Sequence, residues 1–172
     1  DQGQNWEDVG PFLTGATGQI ANSNDPYVYV DPWTDRIMKF DMHALAIMFV
    51  EWSDDEGDSW SAPFPASGVY TPQDHQSIAS VPPGPDFSGV LFHETIYVFC
   101  INTGAQGPIG AFCDTSLDGG ATWEGQVPGW PNGVLQCAGL HGHLVGASDG
   151  AIYRGNPSCD GPAAYRSTDG GR

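Results

Sequence analysis

A short pattern recurs four times along the chain and limits what it can fold into. Residues 53–60 (SDDEGDSW) and 116–123 (SLDGGATW) both read S-x-D-x-G-x-[ST]-W. Residues 1–6 (DQGQNW) carry the second half of this pattern, and residues 167–172 (STDGGR) carry the first half. The aspartates are spaced by 54, 63 and 51 residues. Such spacing indicates repeated supersecondary units rather than one irregular domain.

The pattern has the chemistry of a tight hairpin turn. The aspartate accepts hydrogen bonds from backbone N–H groups further along the turn, and the glycine provides positive φ. The hydroxyl residue caps the turn, and the tryptophan packs back against the sheet. The sequence therefore assigns a structural role to the pattern residues, namely Asp1, Asp55, Gly57, Trp60, Asp118, Gly120, Trp123 and Asp169.

These motifs resemble the Asp-boxes, or BNR repeats, of the sialidase-like β-propeller superfamily. The resemblance implies four-stranded antiparallel blades, with each box between the third and fourth strands and away from the ligand face. Residues 1–172 are expected to form one propeller segment, with approximate repeats 1–60, 61–123 and 124–172. Three blades cannot close a ring. We therefore expect part of a six-bladed or larger propeller, or an incomplete propeller whose copies associate through open blade edges.

Alternating apolar runs between turn signals predict the strands of an all-β fold. In the first repeat they fall at 26–30, 37–40 and 45–52, with His43 in a loop. The second repeat has them at 76–81, 95–101 and 110–115, and the third at 143–147, 151–154 and 163–166. A fourth strand is expected after each complete motif.

Charge and cysteine content indicate an extracellular protein. The net charge of −16 makes nucleic acid an unsuitable partner, and no stretch is apolar for long enough to insert into a membrane. Four cysteines with no zinc-type spacing predict two disulfides. The strand positions predict Cys100 with Cys113 and Cys137 with Cys159. The protein is expected to be secreted or held at the cell surface.

Polar residues before each predicted inner strand form the candidate ligand site. They are Asp25, Asp74, His75, His141 and His143, and in a propeller they would converge on the channel. These groups would suit a histidine-bound divalent metal or Ca²⁺. They would also suit a sugar that contacts exposed Trp33 or Trp130 as well. The remaining alternative is structural, in which these groups only hold the channel closed.

The resemblance also implies a test for sialidase activity, because active members hold the substrate carboxylate with three arginines. The chain has Arg36, Arg154, Arg166 and Arg172. The predicted strands place only Arg154 toward the channel, because Arg36 follows the turn between the first two strands and Arg166 and Arg172 flank the last motif. A binding or structural role, with a glycan or an extracellular matrix, is therefore expected. The alternatives are an exo-sialidase or other glycoside hydrolase with catalytic residues in further blades, and a subunit of an extracellular filament or surface layer.

Overall fold

The computed structural model describes residues 3–10, 23–68, 71–103, 110–129, 140–158 and 161–172. Their regular structure is entirely β. The first sheet contains β1 (Tyr27–Val30), β2 (Ile37–His43), β3 (Ile47–Ser53) and β4 (Phe64–Pro65). The second contains β5 (Gln73–Val81), β6 (Ile96–Thr103), β7 (Ala111–Ser116) and β8 (Glu124–Pro128). The third contains β9 (Leu144–Gly146), β10 (Ile152–Ser158) and β11 (Gly161–Ser167).

Each sheet is an antiparallel meander in which successive strands are neighbours. The expected fold class, an all-β chain of blade-like sheets, is confirmed. Two strand assignments differ from expectation. His43 belongs to β2, where it pairs with Ile47, rather than to a loop. The pairing of β10 with β11 extends to Ser158 and Gly161, beyond the expected strand ends.

The apolar core consists of two layers, one on each face of the second sheet. Tyr97, Phe99 and Ile101 of β6 pack in the layer shared with the first sheet. Val98 and Cys100 pack in the layer shared with the third sheet. All eight residues of β6 are buried, because a strand covered on both faces has no solvent side. The second sheet is thus the centre of the structure.

The S-x-D-x-G turns share one hydrogen-bond geometry. In the first, the Gly57 N–H donates to Ser53 Oγ at 2.8 Å, and the Ser59 N–H donates to Asp55 Oδ1 at 2.8 Å. The second repeats this geometry, with Gly120 N to Ser116 Oγ at 2.8 Å and Thr122 N to Asp118 Oδ1 at 2.9 Å. In the third, Gly171 N donates to Ser167 Oγ at 2.8 Å. Asp1 lies outside the described residues.

The second and third turns each pack against the sheet before their own. Arg36 Nη1 donates to the Gly119 carbonyl oxygen at 2.7 Å, and Thr115 Oγ1 donates to the Gly170 carbonyl oxygen at 2.8 Å. A Cβ on Gly120 would lie 2.8 Å from Met38 Cε, and φ there is 101°. Glycine is therefore required for close approach as well as for backbone conformation. The turns join neighbouring sheets as well as neighbouring strands.

We expect Asp118→Ala to lower the free energy of unfolding by about 1 to 3 kcal/mol. Asp118 accepts from Ser116 Oγ, Thr122 N and Thr122 Oγ1, at 2.9, 2.9 and 2.6 Å. Burial raises the pKa of Asp118, but these hydrogen bonds outweigh it, so the pKa lies below its usual value. Urea denaturation measures the loss. Asp58→Ala, at an exposed position of the first turn, is the matched control and should change stability little. Equal losses for the two variants would contradict the assigned role.

A fully buried carboxylate, Asp31, connects the first two sheets. It follows β1 in the turn before β2 and is 0% exposed. Trp33 N and Thr34 Oγ1 donate to it within the turn, at 3.1 and 2.7 Å. Three further donors come from the second sheet and the residue before β6, namely Ser80 Oγ at 2.6 Å, Thr95 Oγ1 at 3.0 Å and Tyr97 OH at 2.7 Å.

Asp31 and Tyr97 perturb each other's ionisation. Burial raises the pKa of Asp31, but the hydrogen bonds from Ser80, Thr34 and Tyr97 more than offset this effect. The pKa therefore lies below its usual value, and the carboxyl stays ionised at lower pH than an ordinary aspartate. Burial and the neighbouring Asp31 raise the pKa of Tyr97. The pair therefore keeps the carboxylate charged and the phenol protonated near neutral pH.

The predicted disulfide between Cys100 and Cys113 is confirmed. The two residues face each other directly across β6 and β7. Cys137 and Cys159 lie outside the described residues, so their pairing stays a prediction. Among the residues described, no helix has the length and apolar character needed to span a membrane.

Candidate functional site

The inner strands of the three sheets, β1, β5 and β9, lie side by side. Tyr29 OH and Ser80 Oγ are 2.8 Å apart, linking β1 to β5. Gln76 Nε2 donates to the Asp25 carbonyl oxygen at 2.9 Å, and the Leu144 N–H donates to Ser77 Oγ at 2.7 Å. The last two of these bonds place the beginnings of the three strands at one edge of the molecule.

Three rings, one associated with each sheet, meet at this edge. The His75 and His143 ring centroids are 5.0 Å apart, and those of Tyr27 and His143 are 6.2 Å apart. We refer to Tyr27, His75 and His143 as the Tyr-His-His cluster. His143 is exposed, and the other two are half-buried. The cluster is thus an accessible surface built by residues distant in sequence.

A β-bulge in β5 positions His75. The register of β5 against β6 shifts between Asp74 and Ser77, and His75 has a φ of 53°. Positive φ is uncommon for residues other than glycine, and bulges can redirect a side chain. Asp74 Oδ1 accepts from the His75 N–H at 2.8 Å and so supports this conformation. Strained backbone of this kind is often found at functional sites.

The six predicted site residues differ in exposure. Asp25 is half-buried and Asp74 is exposed, beside the Tyr-His-His cluster. His141 and Arg154 are only 2% and 5% exposed. Arg154 Nη1 donates to the Gly129 carbonyl oxygen at 3.1 Å and lies 3.8 Å from Cys113 Sγ. Arg154 therefore lies in the interior between the second and third sheets.

His141 is a neutral buried histidine near physiological pH. Burial and the charge of Arg154 together lower its pKa to about 4, although a hydrogen bond with Asn156 opposes the shift. A neutral imidazole can bind a metal ion. In the chain as far as the structure describes it, no group of three or more histidine, cysteine, aspartate or glutamate side chains is close enough to hold one ion.

Trp33, expected as a sugar-stacking residue, lies at the other end of β1. It is 42% exposed in the turn that contains Asp31, and its Nε1 donates to the Ser80 carbonyl oxygen at 3.3 Å. Trp130 lies outside the described residues. Sequence reasoning did not identify Tyr27 as a site residue, because it reads as an ordinary member of an alternating strand.

A cleft of about 690 Å³ opens between the second and third sheets. Its apolar wall includes Val98, the Cys100–Cys113 disulfide, Leu144 and Ile152. Arg154, Arg166 and Arg172 all line it, although their positions in the sequence predict different faces for Arg154 and for the other two. They share it because the cleft runs between two sheets, from the interior to the third S-x-D-x-G turn.

The three arginines make different contacts. Arg172 Nη2 pairs with Glu124 Oε1 at 2.7 Å, and its guanidinium lies 5.6 Å from the Phe87 ring centroid. Arg166 is exposed and Arg154 is buried. Only Arg154 has its guanidinium bonded inside the core.

Asp114 of β7 is a second buried carboxylate, on the face toward the first sheet. It is 4% exposed, and burial raises its pKa to about 6 while a hydrogen bond from the Gln126 N–H opposes the shift. The adjoining void, beside Gly68 and Gln73, is about 10 Å³. That void has room for about one water molecule. Asp114 is thus an unusual acid, but it has no space for a substrate.

Among solved structures, the chain is similar to one described as Hadza microbial sialidase Hz136. The TM-score is 0.48 and the sequence identity is 17%, over 86% of this chain and 31% of that protein. The chain therefore spans about a third of the length of that sialidase. No protein-family model matches the chain, and no curated protein matches it.

Proposed function

We propose that this protein is a secreted, sialidase-like β-propeller segment that binds a glycan at the Tyr-His-His cluster. The observation that carries the proposal is the meeting of Tyr27, His75 and His143 from three successive sheets at one accessible edge. Binding sites combine aromatic surface with a few placed polar groups. This edge has both, with Asp25 and Asp74 beside the rings.

The chemistry of the cluster suits a sugar. A neutral imidazole offers one hydrogen-bond donor and one acceptor, and a carboxylate offers acceptors, which together match sugar hydroxyls. Tyrosine adds an aromatic face and a hydroxyl. The confirmed disulfide and the net charge of −16 support secretion.

Binding is favoured over hydrolysis by the state of the available acids. Asp74 accepts a hydrogen bond from the adjacent backbone, and Asp114, with its raised pKa, faces a void about the size of one water. A glycoside hydrolase needs an acid and a second carboxylate on either side of the scissile bond. The rings of the Tyr-His-His cluster are two imidazoles and a phenol, and the Asp74 carboxylate beside them already accepts a backbone hydrogen bond.

We expect His75→Ala and His143→Ala each to weaken glycan binding about tenfold or more while changing the melting temperature little. Each variant removes a ring from the binding surface without opening a core cavity. Glycan-array retention followed by calorimetry on the best glycan measures the loss. A chelator added in parallel tests for a metal. His93→Ala is the control, because that ring contacts Tyr97 and Thr95 at the other end of the strands.

Two results would oppose the proposal. If the wild-type chain retains no glycan, the cluster has no such ligand. If the two variants melt earlier but bind as the wild type does, the rings only hold the three sheets together.

A further inference from the structure

The cleft between the second and third sheets has features of a second ligand site, separate from the Tyr-His-His cluster. Its volume of about 690 Å³ is in the range of small-molecule pockets. Its wall is apolar, formed by Val98, Leu144, Ile152 and the disulfide. Such a wall favours the apolar part of a ligand.

The charges along the cleft differ from those of the whole chain. The chain has 21 acidic and 5 basic residues. Three of the five basic residues, Arg154, Arg166 and Arg172, line this cleft, together with Asp86 and Asp169. Asp169 Oδ1 accepts from Ser167 Oγ at 2.6 Å and is engaged in its own turn. The cleft thus concentrates most of the basic residues of a strongly acidic protein, and one of them, Arg172, is paired with Glu124.

Arg154 is the most informative of these residues. It is 5% exposed, and its Nη2 has no hydrogen-bond partner in the part of the chain that the structure describes. Its nearest bonded groups are the Gly129 carbonyl oxygen and Cys113 Sγ, neither of which is an anion. Burial lowers the pKa of Arg154 to about 10, with the Tyr165 charge opposing, and at neutral pH it remains charged. A buried cation without an anionic partner is unfavourable unless something neutralises it.

We propose that this cleft binds a small organic anion, a carboxylate with an apolar body, between the Arg154 guanidinium and the apolar wall. Arginine matches a carboxylate because its planar fork donates two parallel hydrogen bonds. Arg154 lines the cleft, so its guanidinium is within reach of an anion that enters. Arg166, exposed at the rim, steers the anion inward.

Calorimetry with hexanoate, octanoate and octanamide on the intact chain tests this proposal. We expect one octanoate per chain, with hexanoate at least about tenfold weaker because each methylene contributes about fourfold. Octanamide should bind at least about tenfold less tightly, because it lacks the charge. Methyl resonances of Leu144 and Ile152 should shift on titration, while the ring resonances of Tyr27 and His75 should not.

Three variants distinguish a ligand site from a structural arginine. Arg154→Met should abolish the preference for octanoate over octanamide without lowering the melting temperature, because methionine keeps the apolar volume and removes an uncompensated charge. Arg166 is exposed, so Arg166→Gln should fold normally. It should weaken octanoate binding several-fold. Arg36→Gln removes the same charge near the second S-x-D-x-G turn, outside the cleft, and should leave octanoate binding unchanged.

The proposal is overturned if octanoate shows no saturable binding, or if octanamide binds equally well. It is also overturned if Arg36→Gln weakens octanoate as much as Arg166→Gln does. A third pair of results also overturns it. If Arg154→Met fails to fold and Arg166→Gln binds octanoate as tightly as the wild type does, then Arg154 has a structural role.

Discussion

Replacing Asp31 by asparagine is expected to lower the free energy of unfolding by about 3 to 5 kcal/mol. The carboxylate accepts hydrogen bonds from five groups, three of them in the second sheet or just before β6. An asparagine side chain has one oxygen, and its NH₂ group would face donors. Several buried hydroxyls would then be left without an acceptor, and the first and second sheets would separate more easily.

Asp35→Asn is the matched control for this substitution. Asp35 lies in the same turn, is exposed, and has a φ of 61°, which asparagine tolerates well. We expect a change of about 0.5 kcal/mol or less for it. At about 2 to 4 °C per kcal/mol, the difference between the two variants is visible in thermal melts. Similar melting temperatures for the two would show that Asp31 is not the connection between the sheets.

The ionisation of Asp31 adds a pH dependence with a defined sign. Its pKa in the folded protein is lowered from 3.8, so the unfolded chain binds the proton more tightly. The stabilisation is therefore present above about pH 4 and is lost as the pH falls below the unfolded value. Asp31→Asn should remove this part of the acid sensitivity.

Replacing Asp114 by asparagine is expected to raise the free energy of unfolding at pH 7 by about 1 to 3 kcal/mol. Burial raises the pKa of Asp114 to about 6, so at neutral pH the folded protein contains a charge that its surroundings disfavour. Asparagine keeps the acceptor for the Gln126 N–H, which is 3.0 Å from Asp114 Oδ1. The variant removes the charge and retains the hydrogen bond.

The pH profile provides the sharper measurement for Asp114. The folded-state pKa is above the unfolded value of 3.8, so the folded protein holds a proton that the unfolded chain releases. Its contribution to stability is greatest below pH 3.8 and is lost as the pH rises to about 6. The gain from Asp114→Asn should therefore appear as the pH rises through this window.

His141 acts in the opposite direction over nearly the same pH range. Its pKa is lowered from 6.5 to about 4, so stability is lost as the pH falls through that interval. Both the wild type and Asp114→Asn contain His141, so its contribution cancels when their free energies of unfolding are subtracted at each pH. The remaining pH dependence belongs to Asp114. Asp86→Asn, at an exposed loop position, is the control and should show no such window. A gain at pH 7 that persists unchanged at pH 4 would contradict the assignment.

Much of the local structure was predictable from the residues. Alternation in residues 27–30 and 96–99 predicted strands, and β1 and β6 lie there. The Cys100–Cys113 disulfide was predictable because its two residues are 13 apart on either side of one hairpin. His43 was misassigned to a loop because β2 continues past Phe40 with polar residues that the strand pattern does not favour.

The candidate site was predictable only in part. Polar residues before the inner strands were expected to converge, and Tyr27, His75 and His143 do meet at that edge. The β-bulge that orients His75 has no glycine or other signal in the sequence. Arg154 and His141 were expected on the accessible channel face and are buried instead, although His141 stays close enough to His75 for their charges to interact.

The sequence by itself determined the features that depend on neighbours within one repeat, namely the strands, the S-x-D-x-G turns and the first disulfide. Only the tertiary structure decided which faces meet. Asp31 reads as a turn residue, yet Ser80, Thr95 and Tyr97 make it a buried connection between sheets. Arg154 reads as a strand end and instead borders a cleft with Arg166 and Arg172. The physical reason is that burial and charge depend on packing between sheets, which no local pattern of residues specifies.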